Sequence, residues 1–282
     1  MIDVRRRDLL TNAVRRLAEA GVASPEADAE TLLAHVLGTD RGRLVLVDDV
    51  GGDDAAAYDA LVARRAAREP LQHLTGKAHF RHVELVVGPG VFVPRPETEL
   101  LAGWAIERAT PLERPVIVDL CTGSGAIAKA IHDEVPDADV HAVELDPVSH
   151  AWAERNLAGT GVDLRLGDMA EAFEDLAGGV DVVTCNPPYI PLDAWESVAP
   201  EARDHDPHLA LFSGDDGLDA IRVVAARAAR LLRPGGWVGV EHADVQEESA
   251  PAVFAGAGCF RDVRDHQDLA GRPRYVTARL AR

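Results

Sequence analysis

The sequence predicts a doubly wound α/β domain that follows a small, all-helical N-terminal domain. Two patterns lead to this fold class. Apolar residues recur at helical spacing through the first 76 residues. After Pro115, short β-branched runs alternate with helical segments, which is typical of a mostly parallel sheet covered by helices on both faces. We expect a helical domain over residues 1–76, a β-hairpin linker over 77–95 and a Rossmann-like domain over 96–282.

The ends of the N-terminal helices are marked by residues that start or stop helices. A first apolar series runs from Leu9 to Leu17 and ends at Gly21. Ser24 and Pro25 provide an N-cap and a proline at the first helical position for a second helix. No spacing typical of catalytic residues occurs here, so we expect this domain to serve packing or recognition.

In the larger part of the chain, short apolar runs predict the strands. Alternating apolar residues from His79 to Val87 predict the hairpin. Because connections between parallel strands are right-handed, the intervening helices should lie on both faces of the sheet. The strands are expected at 116–120, 140–145, 164–166, 180–185 and 237–241, with a terminal pair at 260–263 and 275–280.

The composition limits which cellular compartment and which classes of partner we expect for this protein. The formal net charge is −18, with most of the excess acid after residue 75, whereas a protein that grips nucleic acid needs a basic face. We therefore expect no direct DNA binding. The three cysteines form no Cys-x-x-Cys motif, and no signal-like or membrane-spanning apolar run occurs, so we expect a reduced, cytoplasmic protein without membrane association.

A glycine turn between a strand and a helix predicts a cofactor site. Gly123, Gly125 and Ala128 fit the dinucleotide-binding fingerprint, and an acid, Glu144, lies 19 residues beyond Gly125 at the end of the next strand. Both a nicotinamide dinucleotide and S-adenosylmethionine need close backbone approach and a carboxylate for the ribose hydroxyls. The pattern alone therefore does not separate these two cofactors.

Charge favours S-adenosylmethionine. Asp119 ends the first strand facing the glycine turn, where its carboxylate would repel a pyrophosphate but suit an ammonium and a sulfonium. Asp168 and Met169 follow the third strand at the same sheet edge and suit the amine and the ring face of adenine. Ligands of open α/β sheets bind in the crevice at this edge.

The segment Asn186-Pro187-Pro188-Tyr189 ends a β-branched strand and predicts the substrate site. Proline has no N–H and a fixed φ, so the chain must leave the sheet as a stiff loop. The Asn186 amide can then accept and donate hydrogen bonds, which suits holding a planar NH2 group still. A strand end with a simple proline stop is the alternative explanation.

Other polar residues carry weaker signals. Arg95 stands between two prolines on a rigid turn, which fits either a binding residue or a plain linker. We expect no metal: His79 and His82 fall on opposite faces of a ribbon, and the polar loop 204–208 is better explained as a lid over the substrate. Cys121 and Cys185 end neighbouring strands, and packing is favoured over a redox role.

Several segments, in their order and spacing, resemble the HemK/PrmC-type protein-(glutamine-N5) methyltransferases. They are 69–76, 93–99, 119–125, 186–189 and 231–236, and the resemblance runs from about residue 5 to 280. It implies a class I S-adenosylmethionine-dependent methyltransferase that modifies the Gly-Gly-Gln glutamine of class I peptide chain release factors. The glycine turn and the Asn-Pro-Pro-Tyr segment occur in other methyltransferases. Segment 93–99 and the helical lobe single out the release-factor enzymes.

The resemblance also implies roles for individual residues. Asn186 and the Pro187 carbonyl would accept the two hydrogens of the substrate amide, Tyr189 would pack along the glutamine side chain, and Pro188 and Arg95 would complete the substrate site. Cys121 stands where glycine is frequent and Glu144 where aspartate is frequent, but neither change removes the chemistry. The expected cofactor-binding residues are Asp119, Cys121, Thr122, Gly123, Ser124, Gly125, Glu144, Asp168, Met169 and Asn186.

Three alternatives belong to other functional classes. An N6-adenine nucleic-acid methyltransferase would share Asn-Pro-Pro-Tyr, but the acidic total and the lack of a separate target-recognition domain speak against it. A non-catalytic module that binds the cofactor or a translation factor would not need the intact Asn186 and glycine turn. An NAD-dependent oxidoreductase is disfavoured by Asp119 and by the lack of an evident hydride-site acid or base.

Overall fold

The computed structural model describes residues 3–281, whose contacts divide the chain into two compact units. The first unit contains the residues up to Lys77 together with 199–205. The second contains Ala78–Val198 and the residues from Asp206 onward. The hairpin predicted as a linker lies almost entirely in the second unit, and a short segment that follows the Asn-Pro-Pro-Tyr loop belongs to the first.

The helices and strands are numbered in chain order. The helices are α1 (Arg6–Glu19), α2 (Pro25–Val36), α3 (Gly52–Ala66), α4 (Leu71–Thr75), α5 (Thr98–Ala109), α6 (Ala126–Glu134), α7 (Pro147–Leu157), α8 (Pro200–His205), α9 (Asp219–Leu231) and α10 (Ser249–Gly256). The strands are β1 (Val4–Arg5), β2 (Asp49–Val50), β3 (Lys77–Phe80), β4 (Val83–Val86), β5 (Val116–Leu120), β6 (Asp139–Glu144), β7 (Asp163–Leu166), β8 (Val180–Cys185), β9 (Leu232–Glu241), β10 (Phe260–Gln267) and β11 (Pro273–Leu280).

The first unit is built around buried apolar faces of α1, α2 and α3. Leu17, Leu32 and Tyr58 are fully or almost fully buried there, and the Tyr58 hydroxyl donates to the Ala29 carbonyl at 3.1 Å. Ser24 precedes α2 as predicted, but its side chain makes no capping hydrogen bond. The short antiparallel pair β1 and β2 was not predicted, because two-residue strands leave no periodic pattern in a sequence.

A partly buried ion-pair cluster joins α8 to α3 and to the residues that follow α3 in the first unit. The Glu201 carboxylate accepts hydrogen bonds from Arg65 at 3.0 Å and from Arg68 at 2.7 Å. Arg65 also donates to Asp28 at 2.7 Å, and its side chain is only 9% exposed. Because the Arg65 and Asp28 side chains are largely shielded from water, removing either one would leave the other as a buried charge with fewer partners.

The second unit is a seven-stranded sheet with the order β10-β11-β9-β8-β5-β6-β7. Strands β5 to β9 run parallel, whereas β11 is antiparallel to β9 and β10 is antiparallel to β11. From β5 the chain adds strands in one direction and then returns to add β8 and β9 on the other side. This order confirms the predicted doubly wound fold, and its switch point lies between β5 and β8.

Helices cover both faces of the sheet because its central strands are apolar on both sides. One face packs Ile117 of β5 against α5, α6 and α7, with Trp104 and Ile131 among the buried residues. The other face packs Val183 of β8 against α9 and α10, where Ile221 is fully buried. No helix among residues 3–281 is both long and apolar enough to cross a membrane.

The β3–β4 hairpin forms part of the first of these cores. Phe80 and Leu85 are fully buried there. The Asn156 amide accepts from the Val86 N–H at 2.8 Å and donates to the Val86 carbonyl and the Ser124 carbonyl, both at 2.9 Å. One side chain of α7 therefore ties the hairpin to the glycine turn.

Candidate active site

A cavity opens at the carboxyl edge of the sheet, at the switch point between β5 and β8. It is lined by residues that follow β5, β6, β7 and β8, together with residues of 80–98 and 207–210. Because all of these strands are parallel, their carboxyl ends meet at this edge. The predicted site residues that line the cavity are Cys121, Thr122, Gly123, Ser124, Glu144, Asp168, Met169, Asn186 and Pro188.

Asp119 lies beneath the glycine turn and is fully buried, so it does not line the cavity. Its carboxylate accepts hydrogen bonds from the hydroxyls of Thr122 at 2.6 Å and Thr184 at 2.8 Å. Burial raises the pKa of Asp119 to about 7, and these hydroxyl bonds oppose the rise. The sequence had suggested an acid facing the ligand. The structure instead gives it two hydroxyl partners that join the turn to β8.

The glycine turn depends on backbone conformations that favour glycine. Gly123 has φ +57° and open space where a Cβ would stand, whereas a Cβ on Gly125 (φ +83°) would come 3.1 Å from Leu157. Gly125 therefore lies against α7 rather than in the cavity lining. Cys121 adopts φ 56° without being glycine, a conformation that strains a residue with a side chain.

Glu144 is held by backbone N–H groups at the end of β6. Its carboxylate accepts from the Gly123 N–H at 2.8 Å and from the Asp146 N–H at 2.9 Å. Burial raises the pKa of Glu144, and the backbone bonds oppose that effect. A carboxylate has about four lone-pair sites, so both oxygens can still accept hydroxyls from a ligand in the cavity.

Asp168 and Met169, which follow β7, line the cavity next to Cys121, which follows β5. The Cys121 thiol lies 3.4 Å from the Met169 sulfur, and Asp168 accepts from the Ala170 N–H at 2.8 Å. Cys185 interacts with the Cys121 thiol, because the two residues lie at the ends of the neighbouring strands β8 and β5. Burial raises the pKa of the Cys185 thiol well above its usual range, so that thiol packs as an apolar group.

The charge of the cavity selects among ligands. Among the described residues that line it, Glu144, Asp146 and Asp168 are acids and none is a lysine or arginine. Apolar side chains, including Phe92 and Ile127, form much of the remaining wall. Such a lining suits a cationic ligand with an apolar ring and disfavours a pyrophosphate.

The Asn186 side chain is oriented by a chain of hydrogen bonds. Its Nδ2 donates to the Thr98 hydroxyl at 3.2 Å, and that hydroxyl donates to Glu241 Oε2 at 2.6 Å. With the NH2 group turned to Thr98, the amide oxygen is the atom with which Asn186 can accept a hydrogen bond from a ligand.

Tyr189 is directed into the protein rather than into the cavity. Its hydroxyl donates to Glu241 Oε1 at 3.1 Å, and its carbonyl accepts from Gln246 Nε2 at 3.0 Å. Burial raises the pKa of Tyr189 above its usual range. Pro188 lines the cavity, whereas Pro187 and Tyr189 do not. Contacts of Pro187 and Tyr189 with a substrate stay predictions.

Arg95 is hydrogen-bonded to the segment that begins at Asp206 and lines one side of the cavity. Its guanidinium donates to Asp206 at 2.7 Å and lies over the Phe92 ring, 5.0 Å from the centroid. Burial raises the pKa of Asp206 to about 6, and Arg95 opposes that rise. Pro207 and Leu209, which follow Asp206, line the cavity, whereas Arg95 does not. A direct contact of Arg95 with substrate stays a prediction.

Sequence reasoning missed Thr98, Glu241 and Gln246. Thr98 stands inside the family-like segment 93–99, but no role followed from the pattern. Glu241 ends β9 at the same sheet edge as the other site residues, a position that could have marked it as a candidate. Among residues 3–281, no group of three or more His, Cys, Asp or Glu side chains could hold a metal ion.

Two family models match the chain. The PrmC N-terminal domain matches residues 8–76, and a methyltransferase domain matches residues 117–205. The first match lies in the helical unit. The second contains the glycine turn, Glu144, Asp168 and the Asn186 loop.

Curated relatives cover nearly the whole chain and carry one name, release factor glutamine methyltransferase. The protein of Streptomyces coelicolor is 59% identical over 274 residues, which are 96% of this chain and 97% of the relative. That of Mycolicibacterium smegmatis is 50% identical and covers 99% of both chains. That of Mycobacterium tuberculosis is 46% identical over 96% of this chain and 90% of the relative.

A solved structure is similar in fold. The hMettl16 catalytic domain matches with a TM-score of 0.56 over 78% of this chain and 81% of its own, at 15% identity. At this identity the likeness supports the methyltransferase fold and carries no information on the substrate.

Proposed function

The chain belongs to the release factor glutamine methyltransferases, and on that premise we propose that it methylates the side-chain nitrogen of the Gly-Gly-Gln glutamine in class I peptide chain release factors. The methyl donor in this proposal is S-adenosylmethionine. The observation that carries the proposal is the hydrogen bond from Asn186 Nδ2 to Thr98, because it leaves an amide oxygen at the cavity to accept from a substrate NH2 group.

The donor set of the cavity fits S-adenosylmethionine. Glu144 would accept from the ribose hydroxyls, Asp168 from the adenine amine, and Met169 would pack on the ring. The acids of the lining suit the positive charge of the ligand. When bound, the cofactor supplies an electrophilic methyl group on a sulfonium.

The contribution of the protein is to hold the substrate nitrogen. An amide nitrogen is a poor nucleophile because its lone pair is delocalised into the carbonyl. Asn186 Oδ1 and the Pro187 carbonyl would accept its two hydrogens and direct the remaining lone pair toward the cofactor side of the cavity. No side chain has to act as a strong base, because the extra proton can leave to water. Alignment of this kind can supply roughly 7–11 kcal/mol of the barrier reduction, besides electrostatic preorganisation.

A nucleic-acid substrate is less compatible with the charges. The chain carries a net charge of −18, and the described lining of the cavity offers no lysine or arginine for a phosphate. Release factors work with ribosomes, so this proposal also places the enzyme in the cytoplasm.

The test is methyl transfer from labelled S-adenosylmethionine to three substrates in one assay. They are a purified class I release factor, its Gly-Gly-Gln→Gly-Gly-Ala variant, and duplex DNA. We expect label on the intact factor alone, and loss of that label with Asn186→Ala enzyme. Label on the Gly-Gly-Ala variant would refute the target residue, and label on DNA would favour the adenine alternative.

A further inference from the structure

We propose that Glu241 is a positioning residue that fixes, through the Thr98 hydroxyl, which end of the Asn186 amide faces the substrate. The inference rests on the proposed function, because it concerns how the substrate-binding amide is oriented. It also gives segment 93–99 a chemical role, since Thr98 is the member of that segment that contacts Asn186.

Glu241 joins three separate parts of the second unit. It ends β9, is 2% exposed, and accepts from Thr98 at 2.6 Å and from Tyr189 at 3.1 Å. Thr98 begins α5 and is 4% exposed, and Tyr189 belongs to the loop after β8. A single carboxylate therefore anchors both the amide that would bind the substrate and the tyrosine that ends the same loop.

The number of hydrogens available in this series of hydrogen bonds decides which group donates and which accepts in each bond. An ionised carboxylate can only accept, so Thr98 must donate its one hydrogen to Glu241. The Thr98 oxygen then accepts, and only the NH2 end of Asn186 can satisfy it. The amide oxygen is left for the substrate, as the proposed function requires.

A neutral Glu241 would remove this constraint. A protonated carboxyl group could donate to Thr98, whose hydrogen would then be free to bond the Asn186 oxygen. The amide would then be free to turn over, and in that orientation its NH2 group would meet the NH2 group of the substrate. Two donors facing each other cannot form a hydrogen bond, so the ionised form of Glu241 is the one that supports turnover.

The surroundings of Glu241 bring its ionised and neutral forms close in free energy near pH 7. Burial raises the pKa of Glu241 to about 7, and the bonds from Thr98 and Tyr189 oppose the rise. Of the charged groups near it, Arg274 on β11 favours the ionised form and Glu97, just before α5, disfavours it. Turnover should therefore be present above pH 7 and be lost as the pH falls through about 7.

The test is the pH profile of kcat at saturating cofactor and release factor, for wild type and Glu241→Gln. A glutamine cannot ionise and offers one donor end and one acceptor end, so it does not impose a single direction on Thr98. We expect kcat above pH 7 to fall roughly 10- to 100-fold, and the acid limb near pH 7 to disappear, while the cofactor KM changes little.

A second pair of variants tests the Thr98 link without touching the carboxylate. Thr98→Val keeps the shape but removes the hydroxyl, and we expect it to lower kcat about as much as Glu241→Gln. Thr98→Ser restores the hydroxyl and should keep kcat within about threefold of wild type. A role of Thr98 in packing alone would favour Thr98→Val, which keeps the shape of the side chain, over Thr98→Ser.

Asp181→Asn is the matched control. It is also an acid-to-amide change in the sheet, but Asp181 lies near the start of β8, at the edge opposite Asn186, and accepts from Arg233 and from the Val116 N–H. We expect a lower unfolding temperature with an unchanged acid limb of kcat.

The outcomes separate this inference from the proposed function. A wild-type enzyme that leaves the release factor unmethylated would overturn both. Methylation by wild type, with the same acid limb in Glu241→Gln, would overturn the inference alone. If Glu241→Gln does not fold, equal kcat in folded Thr98→Val and Thr98→Ser would still overturn it.

Discussion

The two halves of the cavity are held together in different ways. On the side that we propose binds the cofactor, Glu144 accepts a backbone N–H from Gly123, only 21 positions away and at the tip of the adjacent strand. On the side that we propose binds the substrate, Asn186 contacts Thr98 across 88 positions, and Thr98 contacts Glu241 across 143. The cofactor half is thus made by backbone groups of short turns. The substrate half is made by side chains that only the folded sheet brings together.

This contrast predicts that substitutions in the two halves affect different steps, cofactor binding in one half and turnover in the other. Removing a group of the cofactor half should weaken cofactor binding, because the pocket itself is altered. Removing a group of the substrate half should lower turnover with the cofactor still bound, because the target nitrogen is no longer aligned.

Asn186→Ala should give the largest effect. It removes the acceptor that we assign to the substrate amide, and we expect kcat to fall about 10²- to 10³-fold, the range seen when one group that stabilises a transition state is removed. Cofactor affinity, measured by calorimetry, should change much less. Equal losses in turnover and affinity would mean that Asn186 belongs to the cofactor half.

Glu144→Ala should act on the other half. It removes the acceptor that we propose for the ribose hydroxyls and leaves the N–H groups of Gly123 and Asp146 without their partner. We expect the cofactor Kd to rise roughly 10- to 100-fold, as for the loss of one or two hydrogen bonds to a charged group. At saturating cofactor kcat should recover most of its value. A kcat that stays low at saturation would contradict the assignment.

The ionisation of Glu241 should also make the free energy of unfolding depend on pH. Because burial raises the pKa of Glu241 to about 7, its contribution to stability is full below its unfolded pKa of about 4.5 and is lost as the pH rises through about 7. The Glu241→Gln variant does not lose stability in this way, because glutamine does not ionise. The free energy of unfolding, variant minus wild type, should therefore increase on the order of 3 kcal/mol between these limits. Urea unfolding at several pH values measures it, and a constant difference would contradict it.

Cys121→Gly should give the smallest effect. Glycine relieves the strain of φ 56° at this position but removes the contact of the thiol with Met169. These changes oppose each other, so we expect the free energy of unfolding to change by no more than about 1 kcal/mol. Thermal unfolding checks this. A large loss would mean that the sulfur contact matters more than the backbone strain.

Local patterns explain why the fold and the cofactor half could be predicted. The glycine turn, the acid at the end of β6 and the residues after β7 each follow a strand directly, and parallel strands bring such positions to one edge. Asp119 shows the limit of this reasoning. The pattern places it at the strand end, but only the structure shows that two hydroxyls donate hydrogen bonds to its carboxylate below the cavity.

Long-range contacts explain what the sequence did not reveal. The bonds from Thr98 and Tyr189 to Glu241 join α5, the loop after β8 and the end of β9, and no periodicity links those positions. In the same way, the pairing of Glu201 with Arg65 and Arg68, which assigns residues 199–205 to the helical unit, follows from tertiary contacts alone.

The most direct test of the division between the two halves is a double-mutant cycle with Asn186→Ala and Glu144→Ala. The quantity to measure is kcat/KM for S-adenosylmethionine with a release factor as acceptor, for wild type, both single variants and the double variant. Since the two residues share no hydrogen-bond partner, we expect their effects to add within about 0.5 kcal/mol. A coupling above about 1 kcal/mol would contradict separate cofactor and substrate halves.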